Sequence, residues 1–218
     1  MIVTLVSAAA LLTAALPAAD AHAGTDEADF DRPALLAAAP AADRDALREA
    51  DRHILVVRHA RKISPDCNGM ECPLSPQGEA MVARLSDLLG EPPVDRAYAS
   101  AACRTRLTAA AGHADIVAHQ AVDGYAADCT PGATIERLRS AAFAEARNGE
   151  ARWTLVGEHS NTSCLWLAEF AGADGAATAG CVDGRLEETA YGDVFWLYRS
   201  GGGWQLSVLP GAFEVTAD

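Results

Sequence analysis

Two histidines and two arginines of this chain lie where phosphate chemistry could be done. Arg58 and His59 follow the apolar, β-branched run 54–57, and His159 follows a second run at 152–157. Arg104 lies in an alanine-rich segment that follows a third run. A neutral imidazole can attack phosphorus and form phosphohistidine, while fixed arginines balance the charge on the phosphate oxygens. These residue types predict phosphoryl transfer that needs no metal ion.

The elements that must position these residues alternate between strand and helix. Short apolar runs bounded by turn residues predict strands at 54–59, 94–100, 115–121 and 152–157. Apolar residues at helical spacing predict helices over 75–90, from 101, over 135–146 and over 163–170. In open parallel sheets, sites form where the strands end. The pattern predicts an α/β fold, a three-layer α/β/α sandwich with a mostly parallel central sheet.

The C-terminal part departs from this alternation. Residues 172–184 are rich in glycine and alanine, and we expect a surface excursion there. Residues 194–199 and 204–209 flank a run of three glycines. This pattern predicts a β-hairpin.

Other histidines and arginines have a simpler explanation than catalysis. His113 and His119 belong to no recurring pattern and are predicted to lie on the surface. Arg106 is two positions from Arg104, so on a helix the two side chains cannot face the same way. We therefore take Arg104 as the candidate phosphate ligand.

Polar residues near the candidate site leave alternatives open. Ser75 and Ser100 are interpreted as helix caps, although Ser100 can also donate to a phosphate oxygen. Arg61 and Lys62, just after His59, are either solvated charges or cations that attract an anionic substrate. The sequence does not decide between these two roles.

The charge of the chain limits its partners. It carries 30 acidic and 17 basic residues, a formal net charge of −13. Nucleic acids and anionic membrane surfaces require a basic patch, so neither is expected as a partner. A local arginine and histidine cluster can still bind phosphate, because charges beyond about 10 Å are screened. We expect a small phosphorylated substrate and no cofactor.

The N-terminus has the features of an export signal. Residues 1–16 are apolar and uncharged, and Ala21-His22-Ala23 has the small-x-small form of a signal peptidase site. We expect residues 1–23 to be a signal peptide cleaved after Ala23, so that no membrane-inserted segment remains. A membrane anchor is the minor alternative, because the apolar run is short for a bilayer. Residues 24–50 are predicted to be an N-terminal arm, loosely packed up to residue 40, with a short helix at 41–50 that Asp43 could cap. Residues 51–218 are predicted to be one folded domain.

Six cysteines, an even number, suit an exported protein with disulfide bonds. Sequence order suggests the pairs Cys67–Cys72, Cys103–Cys129 and Cys164–Cys181. The rival interpretation is a metal site, but the sequence contains no Cys-x-x-Cys or His-x-x-x-His spacing. We expect no metal.

Five short segments form an ordered set between residues 54 and 209. In chain order they are Arg58-His59-Ala60, Leu74-Ser75-Pro76-Gln77-Gly78, Ser100-x-x-x-Arg104-x-x-x-Thr108-Ala109, Val156-Gly157-Glu158-His159-Ser160-Asn161-Thr162 and Tyr191-Gly192-Asp193-Val194-Phe195. Together they resemble the signatures of the histidine phosphatase superfamily, also called phosphoglycerate mutase-like. The last segment resembles a terminal strand of a small exported branch. The resemblance implies the phosphoglycerate mutase-like fold.

The resemblance also implies roles for individual residues. His59 would be the nucleophile, Arg58 and Arg104 phosphate ligands, and His159 the second histidine, which stabilises the transferring group. Contacts to the substrate are expected from Ser100, Lys62 and Asn161.

The general acid is the point where the resemblance is incomplete. We call the segment Ser100–Ala109, which contains Arg104, the arginine box. The family often places a carboxylate between this box and the second histidine, or directly after that histidine, to protonate the leaving oxygen. The two residues after His159 are uncharged here. Asp123 and Asp128 lie in the right loop, and Glu158 adjoins His159, so these three are the candidates.

The resulting hypothesis is an exported, metal-independent phosphomonoesterase of the histidine acid phosphatase type, acting through phosphohistidine on His59. One alternative is a periplasmic phosphatase for lipopolysaccharide-core sugar phosphate, because such proteins share the leader, a cysteine-bearing loop after the first histidine and a small cap. The other is a phosphate-binding pseudoenzyme with little turnover. Loops 64–73, 123–132 and 171–188 are expected to select the substrate.

Overall fold

The computed structural model describes residues 30–120 and 134–216. Its helices are α1 (Pro33–Ala38), α2 (Arg44–Glu49), α3 (Pro76–Leu89), α4 (Cys103–Ala109), α5 (Arg139–Asn148) and α6 (Ser160–Thr178). Its strands are β1 (Arg52–Arg58), β2 (Arg96–Ser100), β3 (Ile116–Gln120), β4 (Thr134–Leu138), β5 (Trp153–Glu158), β6 (Cys181–Val182), β7 (Arg185–Leu186), β8 (Val194–Ser200) and β9 (Gly203–Leu209). No helix within these ranges is long and apolar enough to cross a membrane.

The central sheet of the described residues has seven strands in the order β4-β3-β2-β5-β1-β8-β9. The first five of these strands pair in parallel. β8 is antiparallel to β1, and β9 returns beside β8 in the predicted hairpin. The mostly parallel sheet expected from the sequence is therefore confirmed, and the carboxyl ends of β2, β5 and β1 share one edge.

Both faces of the sheet are covered. Leu55 and Val57 of β1 belong to a buried cluster that includes apolar residues of α1, α2 and α3. Ile54 and Val56 point to the other face, in a second cluster with residues of α5 and α6. A strand that is apolar on both sides is typical of a parallel sheet between two helical layers. The three-layer α/β/α prediction is confirmed.

Helix α3 forms as its sequence predicts. The Ser75 hydroxyl accepts a hydrogen bond from the Gly78 amide at 3.0 Å, and Pro76 occupies the first helical position. The helix ends before Gly90, whose φ of +63° suits glycine. A Cβ on Gly78 would lie 2.0 Å from the Arg61 carbonyl oxygen, so glycine lets α3 pack directly against the chain after His59.

The prediction of a loosely packed arm up to residue 40 is wrong for residues 30–40. Leu35 and Leu36 of α1 are fully buried, and Arg32, only 2% exposed, donates to the carbonyl of Leu89 at 2.6 Å. Asp43 does not cap α2, because its carboxylate accepts a hydrogen bond from Ser207 instead. Two leucines among alanines give too little periodicity to predict this packing, which depends on the apolar surface of α3. Residues 1–29, with the expected signal peptide, lie outside the described residues.

Two other segments differ from expectation. The helix predicted from residue 135 begins only at Arg139, because residues 134–138 pair with β3 as β4. Backbone groups at a sheet edge favour such pairing over a short helical turn. The expected surface excursion at 172–184 is partly helix, since α6 continues to Thr178 through a kink at Gly172. The remainder forms the β6–β7 ribbon.

Candidate active site

The carboxyl edge of the sheet bears a cavity of about 700 Å³. Arg58 and His59 line it from the end of β1, and His159 lines it from the end of β5, the parallel neighbour of β1. Arg104 lines it from the first turn of α4, which follows β2. Lys62 and Asn161 also line it. The fold thus brings together residues that are up to 101 positions apart in the chain.

His59 is held in one tautomer. Its Nδ1 lies 2.8 Å from the carbonyl oxygen of Ala60, which can only accept, so a neutral ring carries its proton on Nδ1. Burial, reinforced by the positive charges of Arg104 and Arg58, lowers the pKa of His59 to about 3. The neutral ring therefore keeps Nε2 unprotonated, as a nucleophile requires.

His159 lies close to His59. The two ring centroids are 5.4 Å apart and the ring planes meet at 76°. Burial, with Arg104 nearby, lowers the pKa of His159 to about 4. Its backbone amide donates to the Thr162 hydroxyl at 2.9 Å, which fixes the start of α6. Two neutral imidazoles therefore lie next to each other in the cavity lining.

Arg58 is held by neighbours from the connection between β7 and β8. Its guanidinium donates to the carbonyl of Glu187 and to the carboxylate of Glu188, each at 3.0 Å. It also lies 3.9 Å above the Tyr191 ring and donates to the Tyr191 hydroxyl at 3.2 Å. These contacts fix the guanidinium beside His59.

Arg104 is held by the loop between β1 and α3. Its guanidinium donates to the carbonyl of Gly69 at 2.8 Å, and the Cys103 amide donates to Met70 at 2.8 Å, so α4 is joined to the loop 64–73. Burial lowers the pKa of Arg104, which has no carboxylate partner among the described residues. Such a cation suits an anionic ligand.

A buried hydroxyl connects the two arginine segments. Thr108 Oγ1 accepts from the Ala60 amide at 2.9 Å and donates to the Arg104 carbonyl at 2.7 Å. The chain after His59 is therefore tied to α4 by one side chain. Thr108 is the threonine of the arginine box quoted above.

The sequence profile of the histidine phosphatase superfamily (branch 1) matches residues 54–163, just over half of the 218 residues. The chain belongs to this superfamily. Members of a histidine phosphatase family carry out phosphoryl transfer, so a small phosphorylated substrate is implied. Comparison with curated proteins gives no match.

Solved structures give three comparisons of low sequence identity. A chain assigned as the phosphohistidine phosphatase SixA of Agrobacterium tumefaciens is 20% identical, with a TM-score of 0.48, 71% of this chain and 94% of that chain covered. The product of open reading frame Rv3214 from Mycobacterium tuberculosis is 18% identical, with a TM-score of 0.49 and coverages of 73% and 97%. A phosphoglycerate mutase from Bacillus anthracis is 13% identical, with a TM-score of 0.47 and coverages of 76% and 96%.

Glu158 has the surroundings of a structural carboxylate rather than those of a general acid. It is fully buried, does not line the cavity, and its carboxylate accepts hydrogen bonds from Ser100, Thr162 and Trp166. Burial alone would raise its pKa, but the hydrogen bond and charge of His119, with Arg139, lower it to about 2. The carboxyl group is therefore ionised and has no proton to give. Asp123 and Asp128 lie outside the described residues and stay predictions.

His119 and Ser100 belong to the same buried network, contrary to expectation. His119 was predicted on the surface but is 1% exposed, with Nε2 3.0 Å from Glu158 Oε1. Ser100 does not cap α4 and does not line the cavity, because its hydroxyl is directed to Glu158. Both results follow from the buried carboxylate, which needs donors that the sequence alone does not reveal.

Two residues of the site were not identified from the sequence. Tyr191 was quoted within a family segment without a role, yet it supports Arg58 and, at 4.8 Å, Arg61. Glu188 lies at the end of a loop expected to select the substrate, and its carboxylate pairs with Arg58. The Arg61 guanidinium is itself paired with Glu214 at 2.7 Å. The sequence signal for Tyr191 was its place in a segment that resembles a family strand, whereas Glu188 had no such signal.

Two disulfide bonds lie within the described residues; one closes a loop and the other joins α6 to β6. Cys67 is bonded to Cys72, and Cys164 to Cys181, as sequence order suggests. The expected partner of Cys103, Cys129, lies outside the described residues. Disulfide bonds are typical of oxidising compartments. Within residues 30–120 and 134–216, no group of three His, Cys, Asp or Glu side chains is arranged to hold a metal ion.

Proposed function

We propose that this protein is an exported phosphomonoesterase that acts through a phosphohistidine on His59. The observation that carries the proposal is the hydrogen bond from His59 Nδ1 to the Ala60 carbonyl. It leaves an unprotonated Nε2 in the same cavity as Arg58 and Arg104. Membership of the superfamily supports the same chemistry.

In the first step, His59 Nε2 attacks phosphorus and the ester P–O bond breaks. Arg58 and Arg104 bind the non-bridging oxygens, whose negative charge they balance in the transition state. His159 donates a hydrogen bond to the transferring group. A dianionic phosphate beside it would raise the pKa of His159, which strengthens this donor.

In the second step, water attacks the phosphorus of phosphohistidine and the P–N bond breaks. Phosphate leaves, and His59 returns to its neutral form. Imidazole is both nucleophile and leaving group, and arginines carry the charge balance, so the proposed cycle is independent of metal.

The leaving alkoxide of the first step needs a proton. Asp123 and Asp128 remain our candidates for the acid that supplies it. Esters with a good leaving group, such as p-nitrophenyl phosphate, do not require this proton and are the substrates with which to start.

Export is the second part of the proposal. It rests on the apolar segment 1–16, the Ala21-His22-Ala23 site and the two disulfide bonds. A precursor expressed with its leader in a bacterial host should accumulate outside the cytoplasm and begin at Gly24. N-terminal sequencing of the exported protein tests this prediction, and an intact Met1 on cytoplasmic protein would contradict it.

The catalytic proposal is tested with p-nitrophenyl phosphate, in buffer and with a chelator, on the wild type and on His59→Ala. His113→Ala is the matched control, because the His113 side chain is exposed, bonds to Ser86 and does not line the cavity. Wild type and control should turn over the ester with or without chelator, and His59→Ala should not. Rapid alkaline quenching followed by mass spectrometry should find the phosphoryl group on His59.

Several outcomes would overturn parts of the proposal. Activity that survives His59→Ala would remove the nucleophile assignment, and activity lost on chelation would remove the metal-free cycle. Phosphate binding without turnover of any ester in a broad panel would identify a pseudoenzyme. That panel should include a lipopolysaccharide-core sugar phosphate.

A further inference from the structure

The cavity is larger than a phosphoryl group requires. Its volume of about 700 Å³ lies within the range of sites that enclose a whole small ligand. The catalytic histidines and arginines occupy its deep part, while Lys62, Ile63 and Arg185 line it farther out and are more exposed. The cavity therefore has room for the part of the substrate that does not react.

Two cations of this outer part have no carboxylate partner among the described residues. The Lys62 ammonium donates only to neutral oxygens, the Pro65 carbonyl and the Asn68 side chain, both at 2.6 Å. Arg185 makes no ion pair or side-chain hydrogen bond within residues 30–120 and 134–216. We call Lys62 and Arg185 the rim pair.

Lys62 and Arg185 lack carboxylate partners among the described residues, although the protein is strongly acidic. The chain has 13 more acidic than basic residues, and among the described residues five arginines away from the cavity pair with carboxylates, whereas Arg52 and Arg84 do not. The five are Arg48, Arg96, Arg147, Arg152 and Arg199. The rim pair lines the cavity and forms no ion pair with a carboxylate of the described residues. This arrangement suits a site that binds an external anion.

Lys62 is also close enough to the phosphate site to act on the same ligand. Burial lowers its pKa, and the charges of Arg104 and Arg58 lower it further. The carboxylates of Glu188 and Asp66, which form no ion pair with Lys62, act on this pKa in the opposite direction. Cations that repel one another are stabilised together by an anion that binds between them. The rim pair and the two arginines therefore favour a ligand with more than one negative group.

Both members of the rim pair lie on or next to segments that a disulfide bond restrains. Lys62 precedes the loop closed by Cys67–Cys72, and its backbone forms an antiparallel β-bridge with Leu74. Arg185 belongs to the β6–β7 ribbon, whose Cys181 is bonded to Cys164 of α6. A braced segment loses less entropy when its side chain binds a ligand, so these positions suit recognition.

We propose that the rim pair binds a second anionic group of the substrate, so that the natural substrate is a small phosphomonoester with a further phosphate or carboxylate. The inference rests on the proposed function, because it assumes that the first phosphate binds beside His59. The amide side chains of Asn68 and Asn161, which also line the cavity, suit a hydroxyl-bearing scaffold between the two anionic groups.

The test compares substrates that differ only in the second anion. Fructose 1,6-bisphosphate is compared with fructose 6-phosphate, and 3-phosphoglycerate with glycerol 3-phosphate, with p-nitrophenyl phosphate as reference. We expect kcat/KM to be about tenfold or more higher for the member with the second anion. The two fructose phosphates test for recognition of a second phosphate. The pair 3-phosphoglycerate and glycerol 3-phosphate tests for recognition of a carboxylate.

The rim pair is then changed with a matched control. In Lys62→Met and Arg185→Met, the preference for the second anion should fall by about fivefold or more in each. Arg96→Met removes the same charge from a position outside this cavity, where Arg96 pairs with Glu145, and should keep the preference. Added salt should reduce the preference in the wild type.

A preference below about threefold in both comparisons, or one that survives both rim substitutions, would overturn the inference while p-nitrophenyl phosphate is still hydrolysed. If no ester is hydrolysed, the proposed function fails. Calorimetric binding of the same two ligand pairs to the wild type then tests whether the rim pair binds a second anionic group. Binding about tenfold tighter for the member with the second anion supports the inference, and equal binding overturns it.

Discussion

Arg58 donates from one terminal nitrogen to both carboxylate oxygens of Glu188, at 3.0 and 3.1 Å, within the cavity that holds His59. The Glu188 side chain is 84% exposed, so the carboxylate can leave without breaking the core. A phosphate that binds Arg58 must displace it or share the guanidinium with it. The carboxylate therefore competes with the ligand.

Glu188→Gln should accordingly tighten the binding of inorganic phosphate. Loss of one negative charge beside a dianion is expected to lower the dissociation constant by about three- to tenfold. Titration calorimetry measures it, with Glu187→Gln as the control, because only the backbone carbonyl of Glu187 contacts Arg58. Weaker binding in Glu188→Gln would mean that the carboxylate orients Arg58 rather than competes for it.

The pH dependence of activity should reflect buried histidines. Burial lowers the pKa of His59 to about 3 and of His159 to about 4, so both rings are neutral well below the usual histidine value of about 6.5. The kcat/KM profile with p-nitrophenyl phosphate, corrected for substrate ionisation, should lack an acid limb near pH 6.5. A limb centred there would show that the free enzyme protonates one of these rings in that range.

Glu158 should matter for stability rather than for proton transfer. Glu158→Gln leaves His119 and Arg139 beside a neutral group in the buried network, and we expect it to lower the free energy of unfolding by about 3 kcal/mol. Urea denaturation measures this, with the exposed Glu150→Gln as the control. In the folded variant, the rate ratio between an alkyl ester and p-nitrophenyl phosphate should match the wild type. A selective loss on the alkyl ester would restore Glu158 as an acid.

Thr108 should act as a positioning residue. Thr108→Val keeps the volume but removes the acceptor of the Ala60 amide and the donor to the Arg104 carbonyl. We expect kcat to fall by about tenfold or more, since the chain after His59 is no longer tied to α4. Thr108→Ser should recover most of this loss in steady-state assays. A valine variant with wild-type kcat would show that the backbone holds its position unaided.

His53 should make the protein less stable in acid. Its Nδ1 accepts from Trp196 Nε1 at 3.1 Å, and burial lowers its pKa to about 3. The unfolded chain binds the proton below about pH 6.5 and the native protein does not, so stability falls as pH drops from there toward 3. His53→Gln should remove about 1.4 kcal/mol per pH unit of that slope in urea unfolding.

Local sequence patterns determined most of the elements. The apolar run before His59, the Ser75-Pro76 helix start and the glycine turn of the hairpin each specify a local structure by burial, capping or backbone freedom. Because parallel strands end at a common edge, the pattern also predicted that His59, Arg104 and His159 would lie together. The helix predicted over 135–146 begins only at Arg139, and the arm before residue 40 is packed rather than loose. Pairing with β3 and packing against α3 determine the structure of these two segments, and neither can be predicted from local sequence.

Tertiary structure alone decided which polar groups face the cavity and which are buried behind it. By sequence, Glu158 adjoins His159 and was a candidate acid, whereas Glu188 had no assigned role. In the fold, the alternation of β5 turns Glu158 into the core, where His119 and Ser100 reach it, while the β7–β8 connection brings Glu188 onto Arg58. Neighbours distant in sequence set the charge state and direction of each side chain, and no local pattern encodes them.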